Sequence, residues 1–151
     1  MALSQLFTKK HMAVLTSAVC FVILDRFLKA LAITLGQEKV LIKNWLDFSL
    51  IKNNNAAFSL TLGFDIVWLA IIITLLAIIW LGFSLKKKEY LISLALAMLI
   101  LGSLSNIYDR IIYGAVIDYF SFANLNIFNL ADVLIVVGAI ILLYKEFKAK
   151  N

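Results

Sequence analysis

The sequence predicts an all-α membrane protein with a small β element: four transmembrane helices plus a short extracytoplasmic sheet and loop over one polar site. Three observations carry this. First, of 151 residues 64% are hydrophobic and only 15% charged, against about 45–50% and about 25% in soluble domains. With a mean hydropathy of +1.00, a water-soluble globule would leave too much apolar surface uncovered. Second, the apolar residues gather into four windows, near the roughly 20 residues that cross a hydrocarbon core of about 30 Å. Third, most lysines sit in clusters that flank these windows: Lys9-Lys10, Lys86-Lys87-Lys88 and Lys145/Lys148/Lys150. The length suits a single integral-membrane domain, 1–151.

The first window, 12–35, is interrupted by Asp25, Arg26 and Lys29. Lys9-Lys10 ahead of an apolar run resembles a cleavable signal peptide. A retained helix is expected instead, because apolar residues resume after Lys29, no convincing A-x-A cleavage site follows and three more apolar windows come later. In the outer segment 36–65, Val40-Leu41-Ile42, Trp45-Leu46, Phe48 and Leu50-Ile51 alternate imperfectly with polar residues and read as short strands. They are too apolar for a solvated loop, so a sheet at the outer membrane surface is expected. Windows two and three, 66–85 and 90–108, carry no charge. The outer segment 109–128, with Tyr113, Gly114, Tyr119, Phe120 and Phe122, is expected to form a helix or loop over the bundle. Window four, 129–145, holds one charge, Asp132, in its apolar part. All three lysine clusters fall on one side if both termini are cytoplasmic, as the excess of positive charge on that face requires.

The net charge of +5 does not point to nucleic acid, because the lysines flank apolar runs, as charges that fix membrane orientation do. One cysteine, Cys20, cannot form an intrachain disulfide, and one histidine with one cysteine is too few for a His/Cys zinc site. Carboxylates remain as the main acid-base groups.

Their depth is informative. At 1.5 Å per residue, Asp25 lies about 20 Å above Met12, in the outer third of the bilayer, with Lys29 one turn further on the same face. Asn106 lies about 24 Å above Tyr90, with Asp109 and Arg110 just beyond, and Asp132 lies about 5 Å below the outer end of helix four. Helices running in both directions deliver polar groups to one level, where charges are costly and usually functional. Each residue also has a plainer explanation. Asp25 and Lys29 suit an intrahelical ion pair, and Asp109-Arg110 a helix end. Asn53-Asn54-Asn55 suits a turn, and Asp132, three residues after Asn129, an N-terminal cap. Asp118 is harder to explain that way, because its apolar neighbours Val116, Ile117, Tyr119 and Phe120 leave a carboxylate needing a partner.

Five strings in chain order carry a resemblance: Asp25-Arg26-Phe27-Leu28-Lys29; Lys52-Asn53-Asn54-Asn55-Ala56-Ala57-Phe58-Ser59; Asn106-Ile107-Tyr108-Asp109-Arg110; Gly114-Ala115-Val116-Ile117-Asp118-Tyr119; and Phe128-Asn129-Leu130-Ala131-Asp132. Together they resemble bacterial lipoprotein signal peptidase, also called signal peptidase II, over about residues 20–138. The resemblance implies an intramembrane aspartyl endopeptidase that removes signal peptides from diacylglyceryl-modified prolipoproteins, cutting before the lipidated cysteine. It implies Asp118 and Asp132 as the catalytic pair. Asn53, Asn106, Arg110 and Asn129 would hold substrate, and Asp25, Lys29 and Asp109 would organise the site. Asn55 stands where the family has Gly, Ser105 where Gly is common and Tyr119 where Phe is usual, and the interval from Asp118 to Asp132 is a few residues short.

Two close carboxylates in apolar surroundings share one proton, so the chemistry needs neither metal nor organic cofactor. The partners implied are a lipidated prolipoprotein and membrane lipid, with no nucleic acid, and a monomer is expected. The location implied is the bacterial cytoplasmic (inner) membrane. A proton- or ion-coupled transporter using Asp25, Lys29, Asp109 and Asp132 is the alternative. It fits less well, because the inner halves of the helices are apolar and a relay would cross them.

Overall fold

The computed structural model of the chain describes residues 9–36, 39–54, 65–123 and 126–150. Four helices, α1 (Lys9–Leu35), α2 (Asp65–Lys86), α3 (Tyr90–Tyr113) and α4 (Leu130–Lys150), carry a sheet formed by β1 (Lys39–Ile42), β2 (Leu46–Asn53), β3 (Val116–Phe122) and β4 (Asn126–Phe128). The strands lie in the order β1-β2-β3-β4, each pair antiparallel. The helices turn large apolar side chains outward: Phe21, Ile23 and Phe27 on α1, Ile72, Ile79 and Phe83 on α2, Ile140 and Phe147 on α4 are all exposed. A water-soluble fold buries such groups; a bundle facing lipid does not.

Two helices are apolar and long enough to cross a membrane, Val67–Lys86 with mean hydropathy 2.5 and Tyr90–Tyr113 with 1.9. The other two carry charges within their length: Asp25, Arg26 and Lys29 in α1, and Asp132, Lys145, Glu146 and Lys148 in α4. Of these, Asp25, Arg26, Lys29 and Asp132 meet at the site described below.

Three expectations need correction. The segment 109–128 forms no separate helix or loop over the bundle: its first residues extend α3, and it then supplies β3 and β4 to the same sheet as β1 and β2. Helix three runs to Tyr113 rather than 108, since Asp109 is neutralised by α1 and does not mark an exposed helix end. It stops where Gly114 takes a left-handed conformation (φ 71°) and returns its N–H to the Arg110 carbonyl. Helix four runs to Lys150 rather than 145, its last turns carrying polar residues that remain good helix formers. Asn55 and the string 56–59 lie outside the described residues.

The register of β2 on β3 places one side chain of the site. From Phe48 to Ile51 β2 advances three residues while β3 moves two, from Phe120 to Asp118. A one-residue slip exchanges the faces of a strand. The bulge therefore puts Asn53, opposite Val116, on the Asp118 side; without it Lys52 would stand there.

α3 and α4 approach closely where Gly102 meets the first turn of α4. A Cβ at Gly102 would stand 2.6 Å from the Ala131 carbonyl oxygen and 2.9 Å from Ile135 Cγ1. Gly102→Ala is expected to lower stability by about 1–3 kcal/mol, the usual range for overpacking, seen as a lower Tm in detergent. Gly82→Ala, whose Cβ meets nothing within 4 Å, should show no loss. Equal melting of both variants would deny the close approach its structural weight.

Candidate active site

The site begins at the start of α4. The first N–H groups of a helix have no partner inside it, and here side chains supply one for each. Leu130 N donates to the Tyr119 hydroxyl at 2.9 Å, Ala131 N to Asp25 Oδ1 at 3.3 Å and Asp132 N to Asn129 Oδ1 at 2.9 Å. Asp132 answers reciprocally, its Oδ2 accepting from Asn129 N at 3.2 Å, so Asn129 and Asp132 form a capping box. The capping role of Asp132 is real, and it coexists with a second contact, because Oδ1 accepts from Asn106 Nδ2 at 2.8 Å.

Asp118 is buried in β3. Its Oδ2 accepts from Asn53 Nδ2 at 2.9 Å and its Oδ1 from Asn129 Nδ2 at 2.6 Å. Asn129 therefore touches both carboxylates, Asp118 through its side chain and Asp132 through its backbone N–H. Burial, opposed by the Asn53 hydrogen bond and reinforced by the negative charge of Asp132, pushes the Asp118 carboxyl up to about 6.

Beneath the two carboxylates lies a buried ionic cluster. Lys29 is only 2% exposed, and its Nζ pairs with Asp25 Oδ2 at 3.1 Å and with Asp109 Oδ2 at 2.7 Å, and donates to Asn106 Oδ1 at 3.0 Å. Lys29 and Asp25 are thus more than an intrahelical pair, since the same ammonium holds α3. Asp109 also pairs with Arg26 at 2.7 Å and accepts from Ile117 N at 3.2 Å, which fastens β3 beside Asp118. Breaking one partner of such a cluster strands a buried charge, a loss of about 3–5 kcal/mol.

Of the residues named from sequence, Asp25, Lys29, Asn53, Asn106, Asp109, Asp118, Asn129 and Asp132 are joined in one hydrogen-bonded and ion-paired network. Arg110 stands beside it as a half-exposed cation acting on Asp132, Asp118 and Asp109. It also lines a largely apolar cavity of about 330 Å³ between α2, α3 and α4, with Leu69, Ile73 and Leu99. Three participants were not foreseen. Arg26 pairs with Asp109 and stacks over the Tyr108 ring at 5.2 Å. Ser105 donates to Asp25 Oδ2 at 2.6 Å, and Tyr119 donates to Asp25 Oδ1 at 2.9 Å. Position offered the only signal: Arg26 follows Asp25, Ser105 precedes Asn106 and Tyr119 follows Asp118. Among the described residues, no group of three or more His, Cys, Asp or Glu side chains is arranged to hold a metal ion.

A bundle with lipid-compatible outer faces, gathering its ionisable groups beneath a small sheet at one end, is the build of a membrane protein with chemistry near one surface. A family model described as signal peptidase (SPase) II matches residues 17–148, and the chain belongs to that family. A lipoprotein signal peptidase of Ectopseudomonas mendocina (strain ymp) is 33% identical over 154 residues, covering 92% of this chain and 90% of the relative. One of Dichelobacter nodosus (strain VCS1703A) is 35% identical over 155 residues, covering 91% and 95%. A bacterial membrane enzyme solved by the in meso method at 2.3 Å resolution superposes with a TM-score of 0.79 at 26% identity, covering 96% of this chain and 92% of that one.

A raised carboxyl leaves a mark on stability. Asp118 holds a proton in the folded state at pH values where the unfolded chain has lost it. Its contribution is therefore complete below about pH 4 and disappears as pH rises through about 6. Tm measured from pH 4 to 7 should fall more steeply with pH in the wild-type protein than in Asp118→Asn; parallel curves would mean that Asp118 is not raised.

Proposed function

We propose that the chain is an intramembrane aspartyl endopeptidase that removes signal peptides from diacylglyceryl-modified prolipoproteins, with Asp118 and Asp132 as its catalytic pair. The observation that carries the site assignment is Asn129, which hydrogen-bonds to both carboxylates at once. Membership of the signal peptidase II family and relatives named lipoprotein signal peptidase supply the substrate class. Those comparisons give no support to a transporter.

Hydrolysis of a peptide bond needs an activated water and a proton for the leaving nitrogen. The pair holds one proton between its two members, because ionising both in this setting is costly. The ionised member takes a proton from water; the neutral member donates to the carbonyl oxygen and later to the amine. The two titrate as a unit. Asn53, Asn106 and Asn129 hold the carboxylates and the peptide beside them, and Arg110 faces a peptide carbonyl. Asp25, Lys29 and Asp109 fix the elements that carry these groups.

Four spans with cytoplasmic termini, in a bacterial inner membrane, place Asp132 about 5 Å below the outer surface on helix rise. A diacylglyceryl chain anchored in the outer leaflet then meets the pair without leaving the membrane. The protein acts as a monomer, with lipid as its surroundings and no nucleic acid.

Purified protein incubated with a diacylglyceryl-modified and an unmodified prolipoprotein should shorten only the first, seen as a size shift. Cleavage of both, or of neither, would overturn the substrate. Asp118→Asn and Asp132→Asn should each fold, with turnover reduced by about 10³-fold or more, on the scale of losing a member of a catalytic group. Wild-type turnover in either variant would remove the pair.

A further inference from the structure

Tyr119 is the largest fully buried side chain among the described residues. Its ring packs against Phe48 at 5.7 Å and Phe120 at 4.9 Å between centroids. Packing explains the ring but not the hydroxyl. That oxygen donates to Asp25 Oδ1 on α1 and accepts the N–H of Leu130, the first residue of α4. Asp118, the residue before it, is tied to Asn129, the residue before Leu130. Two adjacent residues of β3 thus grip two adjacent residues at the head of α4. β3 is already held by β2, by β4 and by the Ile117 N–H on Asp109; the Tyr119 hydroxyl adds the tie that reaches both α1 and the head of α4. Asp132 stands two residues after Leu130, in the same first turn.

We propose that Tyr119 is a positioning residue, its hydroxyl fixing the separation of Asp118 and Asp132 by binding β3 to both Asp25 and the first N–H of α4. The inference rests on the assignment of Asp118 and Asp132 as the catalytic pair. Burial and the nearby Asp25 raise the phenol above its ordinary range, so it stays protonated and able to donate.

Ser84 supplies the control. Its buried hydroxyl donates to the Glu89 carbonyl at 3.2 Å and shares a hydrogen bond with Ser93 at 2.7 Å, at the α2–α3 turn and apart from the two carboxylates. The full-length protein is assayed with a diacylglyceryl-modified prolipoprotein. Tyr119→Phe keeps the ring, supplies the residue usual in the family, and is expected to lower kcat by about 2- to 10-fold, the scale of one hydrogen bond, with KM within about twofold. The pH profile should move as well, because the titration of Asp118 depends on its distance from Asp132 on α4, against Lys29 on α1 and Arg110 on α3. Ser84→Ala should lower Tm while retaining kcat and the pH profile. If Tyr119→Phe behaves like Ser84→Ala, or raises KM alone, the positioning role is overturned.

Should Tyr119→Phe fail to fold, 3-fluorotyrosine at position 119 keeps ring and hydroxyl while weakening the oxygen as an acceptor. A reduced kcat at wild-type Tm supports the proposal, and wild-type kcat refutes it. The two assignments fail separately. Turnover in Asp118→Asn removes the catalytic pair itself, whereas an inactive Asp118→Asn beside a fully active Tyr119→Phe removes only the positioning role.

Discussion

The side chain and backbone of Asn129 are the joint on which the site depends. Its side-chain Nδ2 donates to Asp118, its side-chain Oδ1 caps the Asp132 N–H, and its backbone N–H is taken by the Asp132 carboxylate. A residue that only capped a helix would need the second of these, and one that only positioned a carboxylate the first. Combining them makes the start of α4 and the location of Asp118 a single geometric fact. The partners of Asn129 are themselves held from elsewhere: Asn53 on β2 takes the other oxygen of Asp118, and Asn106 on α3 the other oxygen of Asp132.

The cluster around Asp25, Lys29, Arg26 and Asp109 meets the main energetic difficulty of a bundle of this kind. Ionised groups removed from water are costly, and hydrocarbon offers them nothing. Here each carboxylate faces a cation and further donors: Asp25 accepts from Ser105, Tyr119 and Ala131 besides its pairing with Lys29. The cost is met by connections that also join α1, α3, α4 and β3. Charge neutralisation and assembly of the site are therefore the same set of contacts.

The helices were legible because uninterrupted apolar runs have few other uses, and depth counted along them brought Asp25, Lys29, Asn106 and Asp132 to one level, where they do meet. The ends of α3 and α4 were not, because a charged residue in sequence does not disclose whether a distant partner neutralises it; Asp109 needed Arg26 and Lys29 of α1. β3 was missed because its residues from Val116 to Tyr119 are all buried, which erases the alternation that marks a half-exposed strand. Motifs revealed Asp118, Asn129 and Asp132, but the contacts of Arg26, Ser105 and Tyr119 exist only between elements. No local pattern encodes a hydroxyl that reaches Asp25 across 94 positions of chain.

The β2–β3 pairing has a consequence for biosynthesis. Asn53 and Asp118 are 65 positions apart, with the α2–α3 hairpin between them, and Asp25 waits for Ala131 across 106. Contacts so distant along the chain close late in folding, after nearer ones have reduced the loop to be closed. Until α4 emerges, a growing polypeptide holds Asp118 without Asp132, the other member of the proposed pair. On the proposed assignment, hydrolytic capacity arises only once α4 has joined the sheet.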